Sequence, residues 1–259
     1  MRKHISFSEL KIWNECAFKH KLVYIDEVKK FLGSEHTAFG TAMHYVCEVL
    51  MKDNFAKNLH EVFEEKFLDE LKFLKKSNVE INSKLVQDMR SQSKNIISFI
   101  LPAVKKQFKN FNLISIEEKL FETIEDNDQK FKGFVDLVIQ TSDGMYHVID
   151  WKTCSWGWDS RRKNDRMTSY QLTLYKHFFA KKHNVDVSNI DTHFALLKRT
   201  AKTNNVEIFR VTSGPKKTQN AIKLLNQALY NINNKKYIKN RLSCTSGFGC
   251  EFYKTEHCR

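Results

Sequence analysis

Proline and glycine are scarce in this chain, at two and eight of 259 residues. There is no Gly/Ser-rich or low-complexity stretch and no internal repeat. Nothing marks a linker, so one compact unit over residues 1–259 is expected. No apolar run approaches the roughly 18 to 20 residues of a membrane-spanning helix, so no membrane partner is expected. Met1-Arg2-Lys3-His4 leads into Ile5 and then polar residues, without the apolar heart of a secretory leader. A cytosolic, reducing location is therefore expected. In that setting the six cysteines read as thiols or metal ligands rather than disulfides.

Acidic residues are in deficit, 30 against 43 basic ones, which leaves a net charge of +13. Distributed Lys and Arg favour a polyanionic partner such as nucleic acid. A basic, solvated surface is the plainer alternative. The hydrophobic share of 41% is ample for a core.

Ser6 with Glu9 has the spacing of a capping box and opens a helix expected through about Tyr24. Further helices are expected over Thr37–Phe55, from Leu59 through Leu74, and from Ser83 to about Lys109, the last bent at Pro102. Three strands follow, at Leu113–Thr123, Lys130–Thr141 and Met145–Thr153. A helix over Asp165–Lys182, two strands at Ile190–Arg199 and Asn205–Val211, and a helix over Lys216–Tyr237 complete the order. This is a mixed α/β core with a helical N-terminal elaboration.

The stretch GFVDLVIQTSDGMYHVIDWKT, Gly133 to Thr153, is an apolar hairpin interrupted by Asp136, Asp150 and Lys152. Side chains alternate faces along a strand, so Asp150 and Lys152 share one. Ser142-Asp143-Gly144 fits a three-residue loop with glycine in the left-handed position. That register sets Thr141 opposite Met145 and Asp136 opposite Asp150. Two opposed carboxylates repel, and burying either alone costs several kcal/mol. Either one of them holds a proton or a divalent cation lies between them. Taken alone, the three charges also fit exposed strand ends.

The surroundings carry more. Gly40 and His44 lie on a helix, after a small-residue stretch that permits close approach. Gln171 and Tyr175 are one helical turn apart on a single face. Gly40/His44, Gly133/Asp136, Asp150/Lys152 and Gln171/Tyr175 stand in the order of the motifs of the RecB-like branch of the PD-(D/E)xK nucleases. The chain resembles that branch along essentially its whole length. It is similar to the CRISPR-associated adaptation exonucleases and to AddAB-type nuclease domains. One position departs: the family commonly has Arg after the first Asp, and this chain has Leu137, which alternation turns away from Asp136.

The resemblance implies a restriction-endonuclease-like α/β fold: a helical part at 1–110, a nuclease core at 111–212, and a C-terminal helix and cysteine tail at 213–259. It implies that His44, Asp136, Asp150 and the Trp151 carbonyl hold Mg²⁺ or Mn²⁺. Lys152 would orient or activate the attacking water, and Gln171 and Tyr175 would contact the DNA backbone or position the scissile end. Glu117 would contribute through water or stand as a solvated strand residue. The implied activity is exonucleolytic hydrolysis of DNA at single strands or free ends, in recombination, repair or replication. A structure-specific endonuclease, or a non-catalytic DNA-binding accessory module, is the alternative. No helicase motor motif occurs, so unwinding would fall to a helicase or recombination partner.

Cys244-x5-Cys250-x7-Cys258 groups thiols closely enough to suggest a metal site. Iron–sulfur members of the family use one cysteine ahead of the core and three behind it. The resemblance thus implies a [4Fe-4S] cluster on Cys16, Cys244, Cys250 and Cys258. The usual gap between the first two tail cysteines is shorter than TSGFG. Structural Zn²⁺, with His257 as a further ligand, and no metal at all are the other readings. Cys47 and Cys154 read as ordinary thiols. Between Lys152 and Gln171, Trp156, Trp158, Arg161, Arg162, Lys163 and Arg166 mix stacking surface with phosphate-binding charge, as a single-strand track requires. A loop packing its tryptophans on the core fits as well. Lys198, Arg199 and Lys202 are expected to be solvated.

Overall fold

A computed structural model of the chain describes residues 3–28, 31–53, 58–247 and 249–259. Phe55, at the expected end of the second helix, and Phe248 in TSGFG lie outside them, as do Met1 and Arg2. The chain divides into two compact units interleaved in sequence. The larger holds Leu32–Lys119 and Phe134–Ser213; the smaller holds Met1–Phe31, Leu120–Gly133 and Gly214–Arg259. No helix among the described residues is long and apolar enough to cross a membrane.

In the larger unit, α3 (Glu35–Asp53), α4 (Leu59–Lys76) and α5 (Ser83–Phe108) follow the expected apolar period. Phe63, Phe67, Leu71 and Leu74 form the buried stripe of α4. The Asn58 and Asn82 side chains cap the starts of α4 and α5 by accepting from the His60 and Leu85 amides. Pro102 sits inside α5 without ending it.

The sheet of this unit follows. The strand β3 (Lys130–Thr141) pairs antiparallel with β4 (Tyr146–Cys154), and β4 runs parallel to β5 (Ile190–Lys198). Next to β5, β6 (Val206–Val211) is antiparallel. Beside β3 lies β2 (Phe111–Thr123). Leu137, Ile139, Ile149, Trp151, Ala195 and Leu197 share the core of α3, α4 and α5. The other face of β4 and β5 packs against α7 (Arg166–His183), whose start is capped by the Asp165 carboxylate. Ahead of it, α6 (Ser160–Lys163) is a single turn.

In the smaller unit, β1 (His4–Ser6) lies parallel to Lys130–Lys132. The Ser6 hydroxyl accepts from the Glu9 amide and opens α1 (Phe7–Glu15), as expected. The single helix expected through Tyr24 is broken: Cys16 is extended, at φ −161° and ψ 115°, before α2 (Ala17–His20) and a π-turn at Lys21–Ile25. Distant residues offset the hydrogen bonds lost at the break. The Phe18 amide donates to Ile238 O, the Asn240 side chain donates to Glu15 O, and the Asn240 amide donates to the Cys16 sulfur. The last helix, α8 (Pro215–Asn233), starts on Gly214 with proline in its first turn. It ends short of Tyr237, and Lys235 lies beyond that end with a left-handed φ of 54°.

At Gly40, α3 packs close against β4. A Cβ there would lie 3.3 Å from the Thr153 hydroxyl, so a branched side chain overfills the contact. Gly40→Val is expected to cost about 1–3 kcal/mol in urea unfolding, with Thr153→Ala recovering part of the loss. A G40V midpoint equal to the parent's would show that α3 has slack at this contact.

Candidate active site

The β3–β4 hairpin has the expected register. Leu137 pairs with Ile149 and Gln140 with Tyr146. The Thr141 amide donates to Met145 O, and Gly144 turns at φ 84°. Continuing the ladder outward sets Asp136 across from Asp150. Leu137 faces the opposite way, into the core.

Each charged group has a defined set of neighbours. Asp136 Oδ2 accepts from the Trp151 amide at 2.7 Å. Asp150 is 2% exposed, and its Oδ1 accepts from Gln171 Nε2 at 2.8 Å. The same Gln171 amide donates to the Tyr175 hydroxyl at 3.3 Å. Lys152 Nζ lies 2.5 Å from Asp150 Oδ2, but without hydrogen-bond alignment, so this buried oxygen has no hydrogen-bond partner. His44 Nδ1 stands 3.6 Å from Asp136 Oδ2, and its ring bonds the Trp151 backbone.

Glu117 joins them. Its φ of +50° interrupts the regular course of β2, and its carboxylate falls within 4.8 Å of ligand atoms of both His44 and Asp136. Sequence alternation gives no sign of that local turn. Arg199 is a second residue that sequence pattern does not place. Rather than being solvated, it is buried: it donates to Gln92 Oε1 at 2.9 Å and lies over the Phe39 ring near the start of α3. Lys198 is buried as well, paired with Glu207 at 3.1 Å. Lys202 is exposed, as expected.

The electrostatics ask for a cation. Burial first, then the Asp150 charge, push the Asp136 carboxyl well above the ordinary carboxylate range. Burial, then Glu48 and Asp150, also raise Glu117. Burial lowers the His44 imidazole against the opposing pull of Asp150, which keeps a neutral nitrogen for ligation. Burial and the Asp150 charge raise the Tyr175 phenol, so it remains neutral. Three carboxylates, a neutral imidazole and a backbone group fit a divalent ion with a preference for oxygen ligands.

The loop after β4 divides. Trp156 is 78% exposed, and Arg161, Arg162 and Arg166 are exposed around it in sequence. Trp158 is buried edge-on against Phe194 and Phe209, and Arg162 covers its ring, so its stacking surface is used internally. Lys163 pairs with Glu207 at 2.5 Å. Cys47 is buried and Cys154 half-buried, and neither lies near another candidate cysteine in sequence.

The smaller unit carries Cys16, Cys244, Cys250 and Cys258. The backbone of Asn240 touches two of them: its amide donates to Cys16 Sγ at 3.3 Å, and its carbonyl accepts from Cys244 Sγ at 3.8 Å. The Cys250 amide donates to Cys244 O at 3.0 Å. Cys250 and Cys258 pack with Leu22 and Phe252.

Residues 4–255 match the family profile of the PD-(D/E)XK nuclease superfamily. The B subunit of the ATP-dependent helicase/deoxyribonuclease of Streptococcus agalactiae serotype Ia is 27% identical over 176 residues, 66% of this chain and 16% of that protein. The serotype V protein of the same name gives the same figures. The chain therefore spans only a small part of the length of these relatives. Among solved structures, a candidate exonuclease from Eubacterium rectale superimposes with a TM-score of 0.61 at 12% identity, covering 94% of this chain and 86% of that one. This likeness establishes the fold: a mixed sheet flanked by helices, of the restriction-endonuclease type.

The raised Asp136 carboxyl has a consequence for stability. The metal-free folded state holds a proton that the unfolded chain has already released. Stability then falls as pH rises from the ordinary carboxylate range through the raised value. Melting in EDTA is expected to show this fall, and Mg²⁺ to reverse it. Asp136→Asn is expected to reduce the slope, leaving the part that Glu117 contributes, and to add about 0.5–2 kcal/mol to the metal-free protein above that range. A parent profile that is flat in pH would contradict the assignment.

Proposed function

Because the chain belongs to the PD-(D/E)XK nuclease superfamily, we propose that it is a divalent-metal-dependent deoxyribonuclease that acts as an exonuclease on single strands or free DNA ends in recombination, repair or replication. The observation that carries this reading is the buried Asp150 carboxylate, ion-paired with Lys152 and across the hairpin from Asp136. His44, Asp136, Asp150 and the Trp151 carbonyl would hold Mg²⁺ or Mn²⁺, with Glu117 alongside. When bound, the ion lowers the pKa of attacking water and polarises the scissile phosphate.

The chain's own groups do the rest. Gln171 fixes Asp150 Oδ1 and is itself steadied by Tyr175, so the carboxylate keeps one orientation. Lys152 Nζ is free to exchange its off-axis contact with Asp150 for a water or phosphate oxygen. Trp156, with Arg161, Arg162 and Arg166, offers a stacking ring and positive charge for a single strand. Its curated relatives are subunits of helicase/deoxyribonucleases, so a helicase or recombination partner belongs to the proposal. So does the treatment of residues 1–259 as one nuclease domain.

A [4Fe-4S] cluster on Cys16, Cys244, Cys250 and Cys258 also belongs to it. Backbone donation to Cys16 Sγ suits a cluster thiolate. When bound, the cluster would tie Cys16 to the tail cysteines across the break in the N-terminal helix.

Two assays test the proposal. Lys152→Ala and Asp150→Ala are each expected to lower Mg²⁺- or Mn²⁺-dependent degradation of linear single-stranded DNA by about 10²-fold or more. Retained activity in both clean variants removes these residues from the mechanism. Circular single strands are expected to survive, and their cleavage would make the enzyme an endonuclease. Anaerobically purified protein is expected to be brown. A colourless protein with stoichiometric zinc would sink the iron–sulfur assignment.

A further inference from the structure

The strand that carries Asp150 also carries His147, three residues earlier and therefore on the opposite face. His147 lies beside Asp191 in the β4–β5 ladder, and His193 is two residues further along β5 on the same face. Ligand atoms of all three lie within 4.8 Å of one another. His147 Nδ1 and His193 Nε2 are 3.1 Å apart. Two nitrogens bound to one tetrahedral ion at the usual metal–nitrogen length stand about 3.3 Å apart, so the rings already have close to that spacing.

The surroundings set the tautomer. Beyond His147 Nε2, at 3.0 Å, lies the Thr141 hydroxyl. Its other neighbours, Asp143 Oδ1 at 2.6 Å and Met145 O at 3.3 Å, can only accept. The hydroxyl proton therefore goes to Asp143, and the Thr141 oxygen accepts from His147 Nε2–H. That leaves the Nδ1 lone pair directed at His193. An outer acceptor that fixes a histidine in this way is the usual support of a ligating imidazole. Phe108, the last residue of α5, covers both rings at 4.8 and 5.0 Å between centroids and fixes their positions. Arg210 holds one Asp191 oxygen at 2.6 Å, which orients the carboxylate, and a carboxylate has a second oxygen to give.

We propose that His147, Asp191 and His193 form a second metal site, for a transition ion of the zinc class rather than for Mg²⁺. Two imidazoles and one carboxylate suit Zn²⁺, Co²⁺ or Ni²⁺, whereas Mg²⁺ takes oxygen ligands and near-octahedral geometry. The ion would clip β5 to β4 and, through Thr141, to the β3–β4 turn. The turn sets the register that opposes Asp136 to Asp150, so the clip would steady the catalytic hairpin from the far face. The site does not depend on the nuclease reading, because its ligands take no part in that chemistry.

Co²⁺ and Zn²⁺ titrations of the full chain test this, read by bound equivalents, visible absorption and melting temperature. The parent is expected to bind one more equivalent than His147→Ala. Its cobalt bands should lack the thiolate charge transfer of a cysteine site. Zn²⁺ should raise the parent's melting temperature, and the rise should grow with the logarithm of free Zn²⁺ once the site is filled. Asp136→Asn is expected to leave this equivalent unchanged, which separates it from the catalytic ion. Thr141→Val, at the turn, keeps all three ligands and is expected to weaken binding by about 10- to 100-fold. It carries the test should the histidine variant fold poorly. Equal stoichiometry and affinity in the parent, H147A and T141V would reduce the pair to a hydrogen bond and overturn the proposal.

Discussion

Everything at the candidate active site depends on one register. The antiparallel pairing of β3 with β4, set by a three-residue turn around Gly144, places Asp136 across from Asp150. A slip of one residue would turn one of the carboxylates to the other face. Burying carboxylates without partners costs several kcal/mol each, and the protein offsets only part of that. The Trp151 amide and Gln171 each satisfy one oxygen. The remaining repulsion appears as the raised Asp136 carboxyl. A bound cation would relieve this residual mismatch, which is what a metal-binding site requires.

The hairpin was legible in the sequence because its information is local. A turn glycine, strand alternation and two apolar runs fix the register without reference to the rest of the chain. Long helices were legible for a similar reason, as the buried stripe of α4 shows. His44 and Gly40 could be found because close helix–strand approach needs a small residue at one spot, and Thr153 occupies the matching position. The break at Cys16 could not be found this way. It depends on Ile238 and Asn240, more than two hundred residues away, supplying the hydrogen bonds that an unbroken helix would have made for itself. The course of β2 at Glu117 and the burial of Arg199 are likewise tertiary, one a left-handed residue within a strand and the other a cation held by Gln92 and Phe39.

Trp158 shows where composition misleads. A tryptophan among arginines reads as a platform for a nucleic-acid base. Yet the same ring serves as filler between Phe194 and Phe209, with Arg162 lying over it. Trp156, two residues earlier, is left outside. Alternating exposure divides one aromatic pair between core and surface, and only the exposed member remains available to a ligand.

The charge of the chain completes the argument. A net +13 draws a polyanion toward the protein, yet Asp136, Asp150 and Glu117, once ionised, make the site itself anionic. On the nuclease reading, a phosphate diester meets long-range attraction and then short-range repulsion, unless a cation already bridges the carboxylates. Lys152 cannot replace that cation, because its single charge is already drawn to Asp150. A divalent ion held by His44, Asp136 and Asp150 would neutralise that repulsion and leave Lys152 available to a phosphate oxygen. The basic surface would govern the rate of encounter and its sensitivity to salt, while the hairpin carboxylates would govern whether any encounter leads to cleavage.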